Sequence, residues 1–467
     1  MAGRGHGVED DRGRHHAKPK PESKTRLHGR RGPPLARWHD PSSNLPGRGF
    51  PGLAILAVAG LLVLLPAALA AEARWWKGNL HTHSLWSDGD DFPESIAAWY
   101  KDHGYHFLAL SDHNRMLEGE QWVTGSMKNH FPEALEKNRR RFGGDWLVQR
   151  TLQGTNQYQL KTLAEFRGLL EQPGRFLMIP SKEITSGHLS FPVHINATNL
   201  RRKIPAQGGT NVLDVMQRGV DAVLEQRRQT GQPMFPHINH PNFGWGITAE
   251  DLMQVRGERF FEVYNGNPAV HNVGDTVHAG MERMWDIVLA RRLGKLDLPP
   301  MHGLAVDDFH HYHRHGSDQS NQGRGWVMVR SEQLDAPSLV AALESGDFYG
   351  SSGVSLRRLE RTGNTMRVEV EAEPGVNYTI RFVGTRRGFD ATRSPVMSAK
   401  GEPIRATWRY SHRIGETLAV SVGPRARYTA RGGELYVRAV VTSSERIANP
   451  SRKGETAAAW IQPWQPR

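Results

Sequence analysis

The 467-residue chain contains no cysteine. That excludes thiolate metal sites, cysteine nucleophiles and disulfides, and it fits an oxidising compartment in which stray thiols are a liability. A strong charge imbalance is also missing from most of the chain. The formal charge is +12, but residues 1–50 hold 11 Lys/Arg against 5 Asp/Glu and so carry half of the excess. A basic balance concentrated in a tail gives little reason to expect a nucleic-acid partner, and none is expected. There is no internal repeat. With 38% hydrophobic and 23% charged residues, the chain is long enough for two domains and a large core. What it has in excess is histidine, 23 residues in all.

Residues 1–51 are rich in Gly, Pro, Arg, Lys and His without apolar periodicity, and read as a disordered basic arm. Residues 52–71, GLAILAVAGLLVLLPAALAA, carry no charge and are long enough to span a bilayer as a helix. The basic arm predicts a cytoplasmic N-terminus with the rest of the chain across the membrane. Ala68-Leu69-Ala70 and Ala71-Glu72-Ala73 offer signal-peptidase sites, so 52–71 reads as a signal peptide or an anchor. Either version places the remainder outside the cytoplasm, periplasmic or secreted, or tethered with membrane contact through 52–71.

From 76 to 353, short apolar runs alternate with amphipathic stretches. The runs are WWKGNL, YHFLALS, RFLMIPS, VHINAT, MFPHINH, RFFEVYN and MHGLAVDD; PESIAAWYKDHG and NVLDVMQRGVDAVLEQRRQ are examples of the stretches between. This alternation predicts parallel βα units, and seven of them predict an α/β fold, a distorted TIM-like (β/α)7 barrel. Beyond 353 the pattern becomes period-two alternation with Gly and Pro between, as in TMRVEVEAEPGVNYTIRFVG and ELYVRAVVTSS. Residues 354–467 therefore read as a small antiparallel, sandwich-like β domain.

Ligand-type residues recur at the ends of the runs: His81 and His83 with Asp88 in the next loop, then Asp112-His113, Glu183, His194, His237 and His240, Glu262, and Asp307, Asp308 and His310. Period two puts His81 and His83 on one face. The C-terminal ends of parallel strands converge on one face of a barrel, where active sites form. Mixed imidazole and carboxylate ligands without sulfur suit Zn, Mn or Fe. So many ligands predict about two to three ions sharing bridging carboxylates, a set of ions suited to hydrolysis, above all of phosphate esters.

KGNLHTHSLWSDG, LSDHN, the Glu of KEIT, the His of NHP and the DFH of VDDFH resemble the motifs of the PHP (polymerase and histidinol phosphatase) superfamily. PVHINATNL, INHPNFGW, FEVYNGNP, VDDFHHY and GRGWVMVR are similar to its metal-dependent phosphoesterase subgroup, which also includes carbamate and carboxylic ester hydrolases. The resemblance spans roughly 76–353, with a closing AAWIQPW near the C-terminus. It implies a distorted seven-stranded βα barrel with a trinuclear site. The implied ligands are His81, His83, Asp88, His113, Glu183, His194, His240, Asp308 and His310. It also implies that Glu183 bridges two metals and that a metal-bound hydroxide attacks a small-molecule ester. Glu183 and Asp308 are then catalytic, together with Asp112, which is expected to accept a hydrogen bond from a ligand imidazole or to help a bound water. His240 precedes Pro as the motif requires, and His237 does not. The DxH spacing selects Asp308 over Asp307. His188 in SGHLS stands as the alternative to His194, which is preferred because it ends an apolar run.

Other residues carry two readings. Glu262 reads as a partner behind a ligand or as a general base, and Arg324 as a phosphate clamp or a loop holder. Asn196, Asn239 and Asn265 are expected to orient neighbours; Trp86 and Trp245 wall the pocket or simply pack. His311 reads as lining substrate entry or facing solvent, His313 and His315 as facing solvent, and the basic stretch 137–144 as an exposed helix face. Two other functions fit the same residues: a carboxylic ester or carbamate hydrolase, and a non-catalytic scaffold used as a binding module. An amidohydrolase would share the HxH start, but SDG, DxH and the early DH argue against it.

Overall fold

The short apolar runs become strands in the structure, a computed structural model that describes residues 72–125, 130–257 and 259–467. The arm expected over 1–51 and the apolar segment over 52–71 lie outside the described residues. Among those described, no helix is long and apolar enough to cross a membrane. Nine strands of one ladder lead to Ser351: β1 (Arg74–Asn79), β2 (Phe107–Leu110), β3 (Leu177–His188), β4 (Phe191–Thr198), β5 (Phe235–Ile238), β6 (Phe260–Asn265), β7 (His302–Val306), β8 (Trp326–Ser331) and β9 (Phe348–Ser351). Four more, β10 (Tyr378–Arg386), β11 (Glu416–Val422), β12 (Glu434–Arg446) and β13 (Thr456–Trp464), complete a 13-stranded ladder. Its order is β7-β6-β5-β4-β3-β2-β1-β8-β9-β13-β12-β10-β11.

β1, β2 and β3 run parallel, as do β5, β6 and β7, with helices between. The uniform parallel pattern expected from the sequence breaks at β4, which is antiparallel to both β3 and β5. Only Leu189 and Ser190 separate β3 from β4, far too few for a parallel crossover. The consequence matters for the site. His194 lies opposite Thr185 near the start of β4, so it does not end its run as the sequence reading supposed.

The ladder curls. β7 is its hydrogen-bonded edge, yet β7 lies against β8 and β9: a Cβ at Gly350 would fall 3.0 Å from the Ala305 nitrogen, and one at Gly325 2.4 Å from the Val306 oxygen. Trp76, Phe107, Ile179, Phe235, Phe260, Leu304, Val327 and Phe348 meet inside the curl in one buried cluster. Full burial of such a side chain contributes roughly 1.5–3 kcal/mol.

Outside the curl, helix Val212–Thr230 is started by the Asn211 side chain accepting the Asp214 N–H and ended by Gly231 at φ 68°. Its buried face carries Val212, Val215, Met216, Val220 and Val223. Between β2 and β3 the loop folds a small three-stranded sheet of its own.

The antiparallel strands after 353 continue the ladder through β13, where Tyr349 of β9 pairs with Ile461. A separate three-stranded sheet, Leu356–Thr362, Thr365–Val370 and Arg425–Thr429, shares a buried cluster with them through Val368, Tyr428, Ile380 and Val441. Gln462 of β13 bonds both the N–H and the C=O of Gly303 at 2.8 Å. It ties this region to β7, the strand leading into Asp307 and Asp308.

Candidate metal centre

Beyond Asn79 the chain stays extended and pairs with the segment following β7. Asp308 N–H donates to the His81 carbonyl, and His83 N–H donates to the Phe309 carbonyl, both at 3.0 Å. The HxH segment and Asp308 are thus joined through the backbone. The next turn folds back on it, and Gly89 makes this possible, since a Cβ there would sit 2.6 Å from the His83 oxygen. That turn presents Asp88 to His83, His113 and His310 at 3.6, 3.5 and 3.4 Å.

The strand ends converge around Glu183, which is fully buried. Its Oε2 lies 3.6 Å from His81 Nε2, 3.5 Å from His83 Nε2 and 2.7 Å from His113 Nδ1. Its Oε1 lies 2.9 Å from His194 Nδ1 and 3.5 Å from His240 Nε2, and accepts a 2.8 Å bond from Asn239. Asp308 Oδ1 stands 3.3 Å from both His81 Nε2 and His83 Nε2, and these two nitrogens are 3.1 Å apart. Among the described residues, five groups of three or four ligand atoms lie within 4.8 Å of one another. Each of the nine expected ligands falls in at least one group. Asp308 and His240 both hold positive φ, 50° and 23°, a strained setting for residues that carry side chains.

The tautomers follow from the surrounding acceptors. Glu262 Oε1 accepts from His81 Nδ1 at 2.6 Å, which turns His81 Nε2 toward Glu183 and Asp308. Glu262 also accepts the His240 N–H and an Asn265 amide, each at 2.8 Å. His310 Nδ1 donates to the Asp308 carbonyl at 3.0 Å, which turns its Nε2 toward Asp88. Glu183 Oε2 and Asp308 Oδ1 therefore both face the Nε2 atoms of His81 and His83. Glu183 Oε2 and His194 Nδ1 are buried without a hydrogen bond, their short approaches falling outside hydrogen-bond geometry. Such a set fits a divalent cation, and its nitrogen and oxygen donors suit first-row ions of intermediate softness.

Electrostatics tie the carboxylates to the imidazoles around them. Burial opposes ionisation of Glu183, yet the surrounding His113, His194 and His81 hold it well below the usual carboxylate range. Asp308 is likewise held down, against burial, by His81 and His83. His113 is driven up to about 11: burial works against this, and the charge of Glu183 and the bond to Asp88 prevail. His83, by contrast, is pushed down to about 3 by burial and by neighbouring His310 and His113.

The centre opens into a cleft of about 570 Å³, lined also by Phe243, Asn267, Ala269, His311, Asp318 and Ser320. No Lys or Arg is among its lining residues.

Several sequence expectations resolve at this centre. His194 faces Glu183, while His188 sits at the β3–β4 hairpin tip opposite Phe191 and joins no ligand group. His240 faces Glu183, and His237 donates to Glu262 at 3.3 Å on the far side of His81. Asp307 turns away: it accepts from Tyr100 at 2.6 Å and from the backbone N–H groups of Gly323, Arg324 and Gly325. Of the two expectations for Asp112, the bond from a ligand imidazole is not met. Its oxygens accept from Ser84 N–H, Ser84 Oγ and Ser87 Oγ at 2.7–2.8 Å, so it braces the turn that carries Asp88. Arg324 is fully buried and spends its fork on the carbonyls of Gly266, Gly316 and Asn449, which makes it a loop clamp.

His313 is not in solvent. Its side chain is only 10% exposed and lies 3.6 Å from the buried Asp91. Trp86 packs in the core, and Trp245 stacks against His278 and His271, with ring centroids 3.9 and 4.5 Å away. Asn239 and Asn265 orient Glu183 and Glu262, and Asn196 donates to the Leu80 carbonyl just before His81. The sequence reading missed Ser84 and Ser87, although both lie inside HTHSLWSDG. Short hydroxyls flanking a ligand loop were the available signal.

No family model and no curated protein matches the sequence. Among solved structures, the chain is similar to a two-domain protein from Bacteroides vulgatus containing a predicted PHP-like metal-dependent phosphoesterase. Identity is 15%, coverage is 84% of this chain and 95% of that one, and the TM-score is 0.37. It is also similar to a protein of Bifidobacterium adolescentis provisionally named a metal-dependent phosphoesterase, with 15% identity, 50% and 87% coverage and a TM-score of 0.25. Likenesses this loose carry no residue's role across, and each role rests on side-chain distances in this chain.

Proposed function

We propose that this chain is a multi-metal-dependent hydrolase of phosphate esters. One observation carries the reading: Glu183 Oε2 and Asp308 Oδ1 each stand 3.3–3.6 Å from both His81 Nε2 and His83 Nε2, and these two nitrogens are 3.1 Å apart. Buried carboxylates and imidazoles at this spacing share positive charge, which a divalent cation would supply. Zn, Mn or Fe would fit, and about two to three ions would engage the nine ligands. When bound, such ions supply Lewis-acid polarisation of the ester and a water acidic enough to ionise near neutral pH.

The chain's own residues do the rest. Glu183 presents one oxygen to His81, His83 and His113 and the other to His194 and His240, so it joins neighbouring sub-sites. Glu262 fixes the His81 tautomer. Asp112 and its two serines hold the Asp88 turn. Asn267, His311 and Ser320 stand at the cleft wall, where the non-reacting part of a substrate would lie. The contact of β7 with β8 and β9 supports reading the curled ladder as the distorted (β/α)7 barrel. The apolar run 52–71 supports placing the catalytic region outside the cytoplasm.

A second reading has its own support. With no Lys or Arg lining the cleft, a carboxylic ester or carbamate would meet no missing counter-charge there. A panel of p-nitrophenyl phosphate mono- and diesters, carboxylic esters and carbamates, run with metal-loaded and chelated protein, separates the readings. Metal-dependent turnover confined to the phosphate esters is expected; turnover confined to carboxylic esters or carbamates would favour the second, and none in any class would defeat both.

A further inference from the structure

We propose that the end of the sheet remote from the metal cleft holds a second binding site, a pocket for the anionic phosphate headgroup of a membrane lipid, formed by Arg74, Lys101, His106 and Arg175. The pocket has a volume of about 440 Å³. Each of these residues comes from a different segment. Arg74 opens β1, Lys101 lies in the last turn of helix Pro93–Asp102, His106 immediately precedes β2, and Arg175 lies just before β3. Since β1, β2 and β3 run parallel, these positions share one end of the sheet. His81, His83 and His113 follow the opposite ends of β1 and β2, roughly 20–25 Å along the strands.

The cations are arranged rather than scattered. Arg74 donates to the Gly174 carbonyl at 2.9 Å and lies 3.8 Å over the Trp76 ring. Lys101 Nζ donates to the Leu170 carbonyl at 2.7 Å, which leaves two of its protons for another acceptor. His106 Nδ1 accepts the Lys77 N–H at 3.0 Å, so the ring's remaining proton sits on Nε2 as a donor. The one acid in the pocket, Asp102, is paired with Arg141 at 2.9 Å. The exposed Arg175 guanidinium has no hydrogen-bond or ion-pair partner among the described residues. Three cations and a neutral donor around one cavity are the complement of a phosphate.

The chain itself points to the source of that phosphate. The uncharged run 52–71 ends just before Arg74. A chain reaches at most about 3.5 Å per residue, so Arg74 lies within roughly 10 Å of the end of that run. If the run spans a bilayer, the pocket meets the headgroup layer, where juxtamembrane cations engage anionic lipids.

The test uses the full chain in lipid nanodiscs, read by hydrogen exchange over 101–106 and 172–176. Phosphatidylglycerol discs should protect both segments relative to phosphatidylcholine discs, and Arg74→Gln/Arg175→Gln should abolish the difference. Arg175→Glu alone, at an exposed and unpartnered site, should do the same without disturbing the fold. Equal protection in both discs, or protection kept by the variants, would overturn the proposal. Protection reproduced by inorganic phosphate in phosphatidylcholine discs would assign the pocket to free phosphate and overturn the lipid source. The readout needs no hydrolase activity, so it stands whether or not the metal centre turns over esters.

Discussion

Two clusters of buried charge in this molecule are built on opposite principles. Asp286 and Arg438 form a buried pair with both guanidinium contacts satisfied, Nε to Oδ1 at 2.8 Å and Nη2 to Oδ2 at 2.7 Å, and Tyr436 adds a third bond to Asp286 at 2.9 Å. The cation comes from the chain itself and also lies 4.8 Å over Trp285. At the strand ends, Glu183, Asp308 and Asp88 gather His81, His83, His113, His194, His240 and His310, and among the described residues none of the three carboxylates is ion-paired with Arg or Lys. A protein that wants only to bury a carboxylate supplies its own cation. Where it gathers carboxylates and imidazole lone pairs instead, it leaves room for a cation from outside.

Paired substitutions sharpen this contrast. The largest effect is expected from Glu183→Gln, which removes the charge shared by the sub-sites. Activity should fall by about 10³-fold or more, because metal clamping of this kind supplies several kcal/mol. Bound metal should fall with it, while circular dichroism stays that of the parent. Arg438→Met should do the reverse: metal content and specific activity hold, and stability drops by about 3–5 kcal/mol as Asp286 is left unpaired. Urea titration of the two variants checks the crossing. If both lost stability and metal alike, the two clusters would not be distinct in kind.

Smaller effects follow from outer partners. Glu262→Gln keeps the shape but weakens the hold on His81 Nδ1–H, and metal affinity should fall by about 10–100-fold in competitive chelator titration. Asp112→Asn loosens the Ser84 and Ser87 brace and should sit at the lower end of that range. Affinity unchanged in both would remove their positioning roles.

The last effect concerns a buried histidine with no carboxylate partner among the described residues. Burial first, then Arg361 and Arg259, push His302 down to about 3. Its ordinary value in the unfolded chain is near 6.5. Below that value the unfolded state binds a proton that the folded state refuses, so stability falls as pH drops from about 6.5 toward 3. The slope is at most about 1.4 kcal/mol per pH unit. Chemical denaturation of wild type and His302→Gln across that range should show a shallower acid slope in the variant.

Much of the candidate centre was legible because most of its residues sit at strand ends with fixed short spacings. Period two set His81 beside His83, and HxH, NHP and DxH each carry local geometry. What was not legible depends on partners distant in sequence. Alternation gives the period of a strand but not its neighbour or direction, so the antiparallel return of β4, and with it the true position of His194, stayed hidden. The same holds for Arg324, whose partner Asn449 is 125 residues away, and for the Asp286–Arg438 pair, 152 apart. His313 was misjudged because its loop reads as polar, and the buried Asp91 that draws it inward is known only from the packing.

Metal analysis of the purified full chain, beside its His83→Ala variant, bears most directly on the centre. About two to three equivalents of Zn, Mn or Fe per chain are expected in the parent, falling sharply in the variant. A folded parent that hydrolyses esters while holding no divalent metal, or a variant that keeps its full complement, would contradict the cation site that these histidines and carboxylates define.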